Sequence, residues 1–429
     1  MPRCLNCFFT LVLLVLAARA ALVVGNESET TPRSIDQLVA DIQDTTPQTR
    51  VQAMVDLAAR GEAARPAIAS VINALQDQNS EVRMVAAMCL GELVLEPELV
   101  MPALEKAIDD PTVFEDRQMC VVAGLALGAY GTPALPYLRR ALASDKLPLR
   151  RGALVGLFRV GPPAAEAVGD LIAILDQRDP ELRGYVHQTI IGIGPDAKPA
   201  VEALIKDLSS DDFHTQYWAC RALGAIGPEA QPAANKLIEL VHTGTASVRH
   251  NAATALGDIG STVGPAAVQA LTDALTDYSQ VVRNKAVIAL GKLQPLSLSA
   301  APTIEKLLYE PAGISPRANA ARVLQAMRPE VEELVVQALL QDLFDSAEPD
   351  LAARFLADID FECDIVQRVI PLLEDEKRYT RQYAVIALGN MGPAAADAED
   401  ALTELLEDEA AEVREAAKNA LEKIRSSDE

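Results

Sequence analysis

Aromatic residues make up only 4% of this chain, with a single Trp, and there are only four histidines. Those four, His187, His214, His242 and His250, are neither followed by Glu nor paired at four-residue spacing. Helical metal sites need that spacing. No GxSxG elbow, phosphate loop or dinucleotide fingerprint occurs, because the glycines recur at long regular intervals instead of clustering. Outside Cys4 and Cys7, the cysteines Cys89, Cys120, Cys220 and Cys363 stand far apart with no CxxC spacing. No catalytic residue, cofactor site or metal site is therefore assigned. Basic charge is also short, 38 Lys and Arg against 61 Asp and Glu for a formal charge of -23. A surface of that sign repels phosphate backbones, which argues against nucleic acid as a partner.

What is present in quantity is Ala, Leu, Val and Ile, within a hydrophobic share of 50%. These residues pack helices closely. A chain of 429 residues is more than one core needs, since single cores stop growing at roughly 250 to 300 residues. Several domains or one extended α-rich array is expected.

The N-terminus reads as an export signal. A basic start at Met1 to Arg3 precedes an apolar run from Phe8 to Ala18, closed by the small-x-small motif Ala18-Arg19-Ala20. Cleavage after Ala20 leaves no membrane span and a secreted or periplasmic protein. The alternative is an uncleaved anchor extended through Leu22 to Val24, with Arg19 inside it. Residues 21–33 form a Thr- and Glu-rich leader with the sequon Asn26-Glu27-Ser28, residues 34–425 carry the repeats, and 426–429 form a tail. Export leaves a Cys89–Cys120 bridge open, although each cysteine sits in an apolar helical stretch that suits a buried thiol.

The repeat is plain once segments are aligned on the Leu of an Ala-Leu-Gly-like triplet. Anchors fall at Leu57, Leu90, Leu127, Leu157, Ile190, Leu223, Leu256, Leu290, Leu324, Leu356, Leu388 and Leu421, about 33 residues apart. The clearest copy runs from Ser247 to Asp277. Val248, Ala252, Ala255, Leu256 and Ile259 share one helical face, Gly260 stops that helix, and a second apolar run follows Pro265. Prolines at the equivalent place, Pro66, Pro136, Pro199, Pro232 and Pro265, predict the first turn of the second helix.

A 33-residue period also suits ankyrin and tetratricopeptide arrays, but their signatures are absent. What recurs is Asp, then Arg six residues on, before the Ala-Leu-Gly helix: Asp44 with Arg50, Asp77 with Arg83, Asp277 with Arg283, Asp375 with Arg381, Asp408 with Arg414. This resembles the short HEAT-like repeat of phycobilin lyases and their relatives. The resemblance covers about residues 34 to 425, with Cys120, Gln216 and Pro349 replacing the Arg in three of the twelve copies. It implies an all-α superhelical solenoid of stacked helix pairs, held by an Asp–Arg ladder, with the Arg-bearing helix lining the concave side. Phycobilin-lyase-like activity or chromophore binding is the enzyme alternative, which an export signal suits poorly.

The leading expectation is a non-catalytic scaffold that binds a protein or peptide on that concave face. Counting from the Arg position, residues +1 and +5 lie opposite the buried stripe, with +2 and +9 on its shoulder. The middle copies place Tyr185, Gln188, Tyr217, Trp218, Arg221, His250, Asn251 and Thr254 there, followed by Asp258, Asn284, Lys285 and Lys292. The first two copies place Val51, Val55, Met84, Val85 and Met88 there instead. Trp, Tyr and Arg are the residues that dominate protein interfaces. The other reading of Trp218 is a gap filler between Ala-rich helices. A longer turn from Asp109 to Asp116 carries Phe114 as a rim contact or a loop anchor.

Overall fold

The computed structural model describes residues 33–114, 117–309, 316–345, 349–358 and 364–426. The leader with its cleavage site, the Asn26 sequon and Cys363 lie outside the described residues.

Every copy of the repeat opens with the expected Arg-position helix. Two compact units divide the chain at Ala203 and Leu204. In the first, these helices are Pro47–Ala58, Ser80–Leu93, Met119–Gly128, Leu147–Val160 and Pro180–Ile193. In the second they are Phe213–Ile226, Ala246–Ile259, Gln280–Lys292, Arg317–Met327, Pro349–Asp358, Arg378–Met391 and Ala411–Arg425. Within each unit every such helix packs beside the next one, with second helices, most of them shorter, covering one side of the row. Both units are all-α solenoid stacks. Among the described residues no helix is long and apolar enough to cross a membrane.

The apolar stripe explains the packing against the second helices: Val248, Ala252, Leu256 and Ile259 are fully buried. Ala253 and Ala255 are buried as well, because the row closes on a first helix from both sides. The Ala-Leu-Gly triplet has its own structural reason. A Cβ on Gly91 would stand 2.6 Å from the Ala126 Cα, and one on Gly257 would stand 2.8 Å from the Ala289 Cα. Gly389 meets Ala420 in the same way, at 2.8 Å from its Cβ. The Gly of one copy thus receives the residue just before the anchor Leu of the next, and the missing side chain sets how closely neighbouring layers approach.

Side-chain caps start several of these helices, as when Asn79 accepts from the N–H groups of Glu81 and Val82, and Asp212 from those of His214 and Thr215. Gly260, at φ +83°, stops the helix Ala246–Ile259 in a conformation that only glycine adopts freely. The prolines depart from expectation in part. Pro265 and Pro136 occupy the first turn of their helices, whereas Pro66, Pro199 and Pro232 lie within the 3₁₀ segments Gly61–Ala67, Gly194–Ala200 and Gly227–Ala233. A 3₁₀ helix has three residues per turn, so Ala230 and Ala233 eclipse and form one fully buried edge that an α-helix would rotate away.

The Asp–Arg ladder does two jobs. Within a copy the guanidinium donates to the turn carbonyl, as from Arg83 to the Asp77 O at 2.7 Å and from Arg381 to the Asp375 O at 2.9 Å. Between copies it reaches the next carboxylate: Arg50 to Asp77 at 2.8 Å, Arg83 to Asp110 at 2.8 Å, and both Arg249 to Asp277 and Arg381 to Asp408 in two-pronged form. Each such charge-assisted bond contributes about 1.5 to 3 kcal/mol. Gln216 keeps the first job only, donating to the Ser210 O at 2.9 Å and the Leu208 O at 3.3 Å.

Among the described residues, β-strand occurs in the first unit alone. Where Cys120 replaces Arg, Val113–Phe114 pairs antiparallel with Arg117–Gln118, turning the expected long turn into a short hairpin with Phe114 half-buried. In the preceding copy, between helices Ser80–Leu93 and Pro97–Ala107, Val94 and Glu96 take positive φ, and the buried Tyr130 hydroxyl holds that bend by donating to the Leu95 O at 2.9 Å and the Leu90 O at 3.2 Å. Cys89, Cys120 and Cys220 are free and buried, so the open question of a Cys89–Cys120 bridge resolves to two thiols. Burial pushes the Cys89 and Cys220 thiols up to about 12, which keeps them unreactive.

Candidate functional site

Each first helix turns one side away from the second helices. In the second unit it carries a cation–aromatic cluster. Trp218 and Tyr217, both half-buried, meet edge to face with ring centroids 5.1 Å apart and an interplanar angle of 87°. One helical turn on, the Arg221 guanidinium lies 4.9 Å from the Trp218 ring and 5.7 Å from the Tyr217 ring, with a 3.4 Å contact to the Tyr217 hydroxyl. The adjacent helix Ala246–Ile259 brings His250 alongside. Its Nδ1 is 3.2 Å from the Ala246 O and its Nε2 is 2.8 Å from the Asn251 amide nitrogen, a pattern that suits a neutral ring with the proton on Nδ1. Burial first, and then the charges of Lys285 and Arg221, hold the His250 pKa below its ordinary value. Thr254, half-buried, turns its hydroxyl back to the His250 O at 2.8 Å.

Trp218 is half-buried, with Tyr217 and Arg221 against its ring. Asn251 is a correction. It is buried, and its amide donates to the Ser247 O at 2.7 Å, so it braces the helix and does not face outward. Its shoulder position is closed by the neighbouring layer, as happens to the equivalent Asn319, which donates to Asn284 at 2.8 Å.

Tyr185 and Gln188 belong to the first unit. Tyr185 is half-buried with the Arg151 guanidinium 5.7 Å from its ring, and burial raises its hydroxyl pKa. Gln188 is buried and is corrected in the same way as Asn251. Arg151 was missed, although it occupies a +1 position that the same register would have picked out. The apolar candidates divide too: Val51 and Met84 are buried, while Val55, Val85 and Met88 are half-buried. Two +1 residues of the first copies are thus part of the packing between layers.

A groove of about 750 Å³ opens in the first unit beside the hairpin, lined among others by Asp77, Glu105, Asp109 and Asp110. Each of these carboxylates already meets a cation, Arg50, Arg140, Lys146 and Arg83 respectively. None of these four carboxylates is left to a ligand without a cation partner. Among the described residues no group of three His, Cys, Asp or Glu is arranged to hold a metal ion.

Comparison with known proteins agrees with this architecture. A family model for HEAT repeats matches residues 35–123, 168–248, 234–325 and 366–429, as a class and without the phycobilin-lyase subtype. No curated protein matches the sequence. Among solved structures, the karyopherin Kap121p bound to the SUMO protease Ulp1p is similar at TM-score 0.50 and 14% identity, over 90% of this chain and 51% of that one. Kap121p bound to the extreme C-terminus of the protein phosphatase Cdc14p gives TM-score 0.48 and 13% identity over the same shares. The chain spans about half the length of these karyopherins, and at such identity the likeness is one of fold. With repeats matched from residue 35 to residue 429 and layers joined by the ladder and the Gly–Ala contacts, the chain belongs to the HEAT-repeat family.

Proposed function

We propose that this protein is a non-catalytic scaffold of an extracytoplasmic compartment that holds a protein or peptide on the concave face lined by its Arg-position helices. The observation that carries the reading is the half-exposed cluster of Tyr217, Trp218 and Arg221 beside His250, in a chain otherwise poor in aromatics. Rigid rings with a polar edge and a guanidinium above them are the side chains that concentrate binding energy in protein interfaces. The close packing of helix Phe213–Ile226 on Ala246–Ile259 supplies the rigidity that such a surface needs. The apolar run and Ala18-Arg19-Ala20 support export.

Retention of a partner from the native host by the full chain, compared with a Tyr217→Ala/Trp218→Ala variant, tests the binding face. Loss of at least about tenfold in affinity with little change in thermal midpoint is expected. Gln382→Ala, a half-exposed +1 residue on a later layer, should leave affinity unchanged. Equal retention by both variants would place the binding surface elsewhere. N-terminal sequencing of the native protein should find Ala21 first, and an intact Met1 in a cytosolic fraction would overturn the location.

A further inference from the structure

The charge around Trp218 says what kind of segment the face accepts. In the second unit the half-buried cations other than Arg221 and Lys285 meet a carboxylate: Lys236 meets Glu239, Arg328 meets Glu305 and Glu330, and Arg368 meets Glu333. Such pairing is expected where acids outnumber bases by 61 to 38. Arg221 and Lys285 are exceptions, for among the described residues neither forms an ion pair with a carboxylate. The +1, +2 and +5 positions of three consecutive layers here are Tyr217, Trp218, Arg221, His250, Asn251, Thr254, Asn284, Lys285 and Ile288. None is acidic. The +1 positions of later layers in the same unit include Asp350 and Glu415, both exposed.

We infer that this face of the second unit takes a short acidic peptide segment, with a carboxylate seated against Arg221 and Lys285 and a neighbouring apolar side chain against the Trp218 ring. The inference rests on the protein-binding reading above and names the partner's chemistry. Arg221 against the half-buried Trp218 ring, with Lys285 on the helix after His250, complements a carboxylate next to an apolar group, and a cationic segment would be repelled locally. Asp350 and Glu415 farther along disfavour a long polyanion. His250 takes part through its neighbours. Arg221 from the preceding helix and Lys285 from the following one both face it, while Arg249 beside it is committed to Asp277. A seated carboxylate offsets the two free cations, so a proton on the imidazole becomes more favourable in the complex than in the free protein.

Trp218 is the only Trp of the chain, so its fluorescence reports on this face alone. The full chain is titrated at low ionic strength with a short peptide alternating glutamate and leucine, and with its glutamine and lysine counterparts. The glutamate peptide should shift Trp218 emission saturably, bind about tenfold more tightly than the glutamine peptide, weaken with added salt and bind more tightly as pH falls from about 8 to 6. Arg221→Gln and Lys285→Gln, with helicity checked by circular dichroism, should each weaken it several-fold. Equal binding of the glutamine peptide, tighter binding of the lysine peptide, or unmoved emission with all three overturns the acidic-segment inference. The protein-binding reading stands or falls separately, on retention of a native partner by the Tyr217→Ala/Trp218→Ala variant.

Discussion

Neighbouring layers are joined in two different ways. In the first unit, helices Met119–Gly128 and Leu147–Val160 meet glycine to glycine: a Cβ on Gly124 or Gly128 would overlap the carbonyl oxygens of Gly152 or Gly156, and one on Gly152 would stand 2.5 Å from the Cys120 O. No ladder Arg links them, because Cys120 stands in its place. In the second unit, helices Ala246–Ile259 and Gln280–Lys292 meet glycine to alanine at Gly257 and Ala289, and Arg249 grips Asp277 with two hydrogen bonds of 2.7 and 2.8 Å. The comparison teaches that close backbone approach and the ladder are separate devices. A layer that loses the ladder is still held where glycine lets the helices touch.

The largest effect should come from breaking the glycine joint. In Gly124→Ala the new Cβ meets a backbone oxygen, which cannot rotate away, so the layers must separate along their length. Overpacking of this kind costs about 3 kcal/mol, well above the roughly 1 kcal/mol that alanine gains from helix propensity. Urea unfolding followed by circular dichroism measures the loss, and hydrogen exchange should place it between residues 119 and 160. A stable Gly124→Ala protein would show that the joint is looser than its geometry.

Breaking the ladder should cost less. Arg249→Ala leaves the Asp277 carboxylate and the Gly244 O, which accepts from Arg249 at 2.9 Å, without their donor, for about 2 kcal/mol. Gln216→Ala, where only turn carbonyls are served, should cost about 1 kcal/mol. Acid should separate the two joints further. Although burial opposes it, the Arg249 guanidinium and the Ser279 N–H hold the Asp277 carboxyl below its ordinary range. Arg381 does the same for Asp408. A group with a depressed folded pKa contributes stability that is complete above about pH 4, the unfolded value, and is lost as pH falls through the folded one. The stability gap between the native protein and Arg249→Ala, followed by Trp218 fluorescence in urea, should therefore hold above about pH 4 and narrow progressively below it. A gap of constant size would assign Arg249 a packing role only.

Much of this was readable beforehand because it is carried by side-chain chemistry on a fixed period. The anchor Leu residues, the helix-stopping Gly260, and Asp and Arg six residues apart stand out in one sequence and occupy their expected places. What escaped depends on the neighbouring layer. Gln188 and Asn251 look outward on an isolated helical wheel, and Met84 does too, yet all three are buried once the adjacent first helix is in place. The triplet glycine marked the register, but its partner one period later could not be known without the stack. Pro66, Pro199 and Pro232 fit a helical first turn or a 3₁₀ turn equally well, and the choice is made by the alanines that need to eclipse. The hairpin before Met119 left only an unusual spacing as its trace.

The smallest predicted effect turns the same substitution into a gain. Gly184 lies within the helix Pro180–Ile193 at a +1 position, and a Cβ built there meets nothing within 4 Å. It has no layer to admit, so only its backbone freedom matters, and that freedom weakens a helix interior. Gly184→Ala should stabilise the first unit by about 0.5 to 1 kcal/mol, opposite in sign to Gly124→Ala, which also lies in a first helix. Hydrogen exchange should slow across residues 180–193. The pair sharpens the comparison, since both changes add the same methyl group and share the same propensity gain. Only the distance to the next backbone differs. Destabilisation by Gly184→Ala would mean that this position also admits a close neighbour, and that the open space beside Tyr185 and Arg151 is filled in solution.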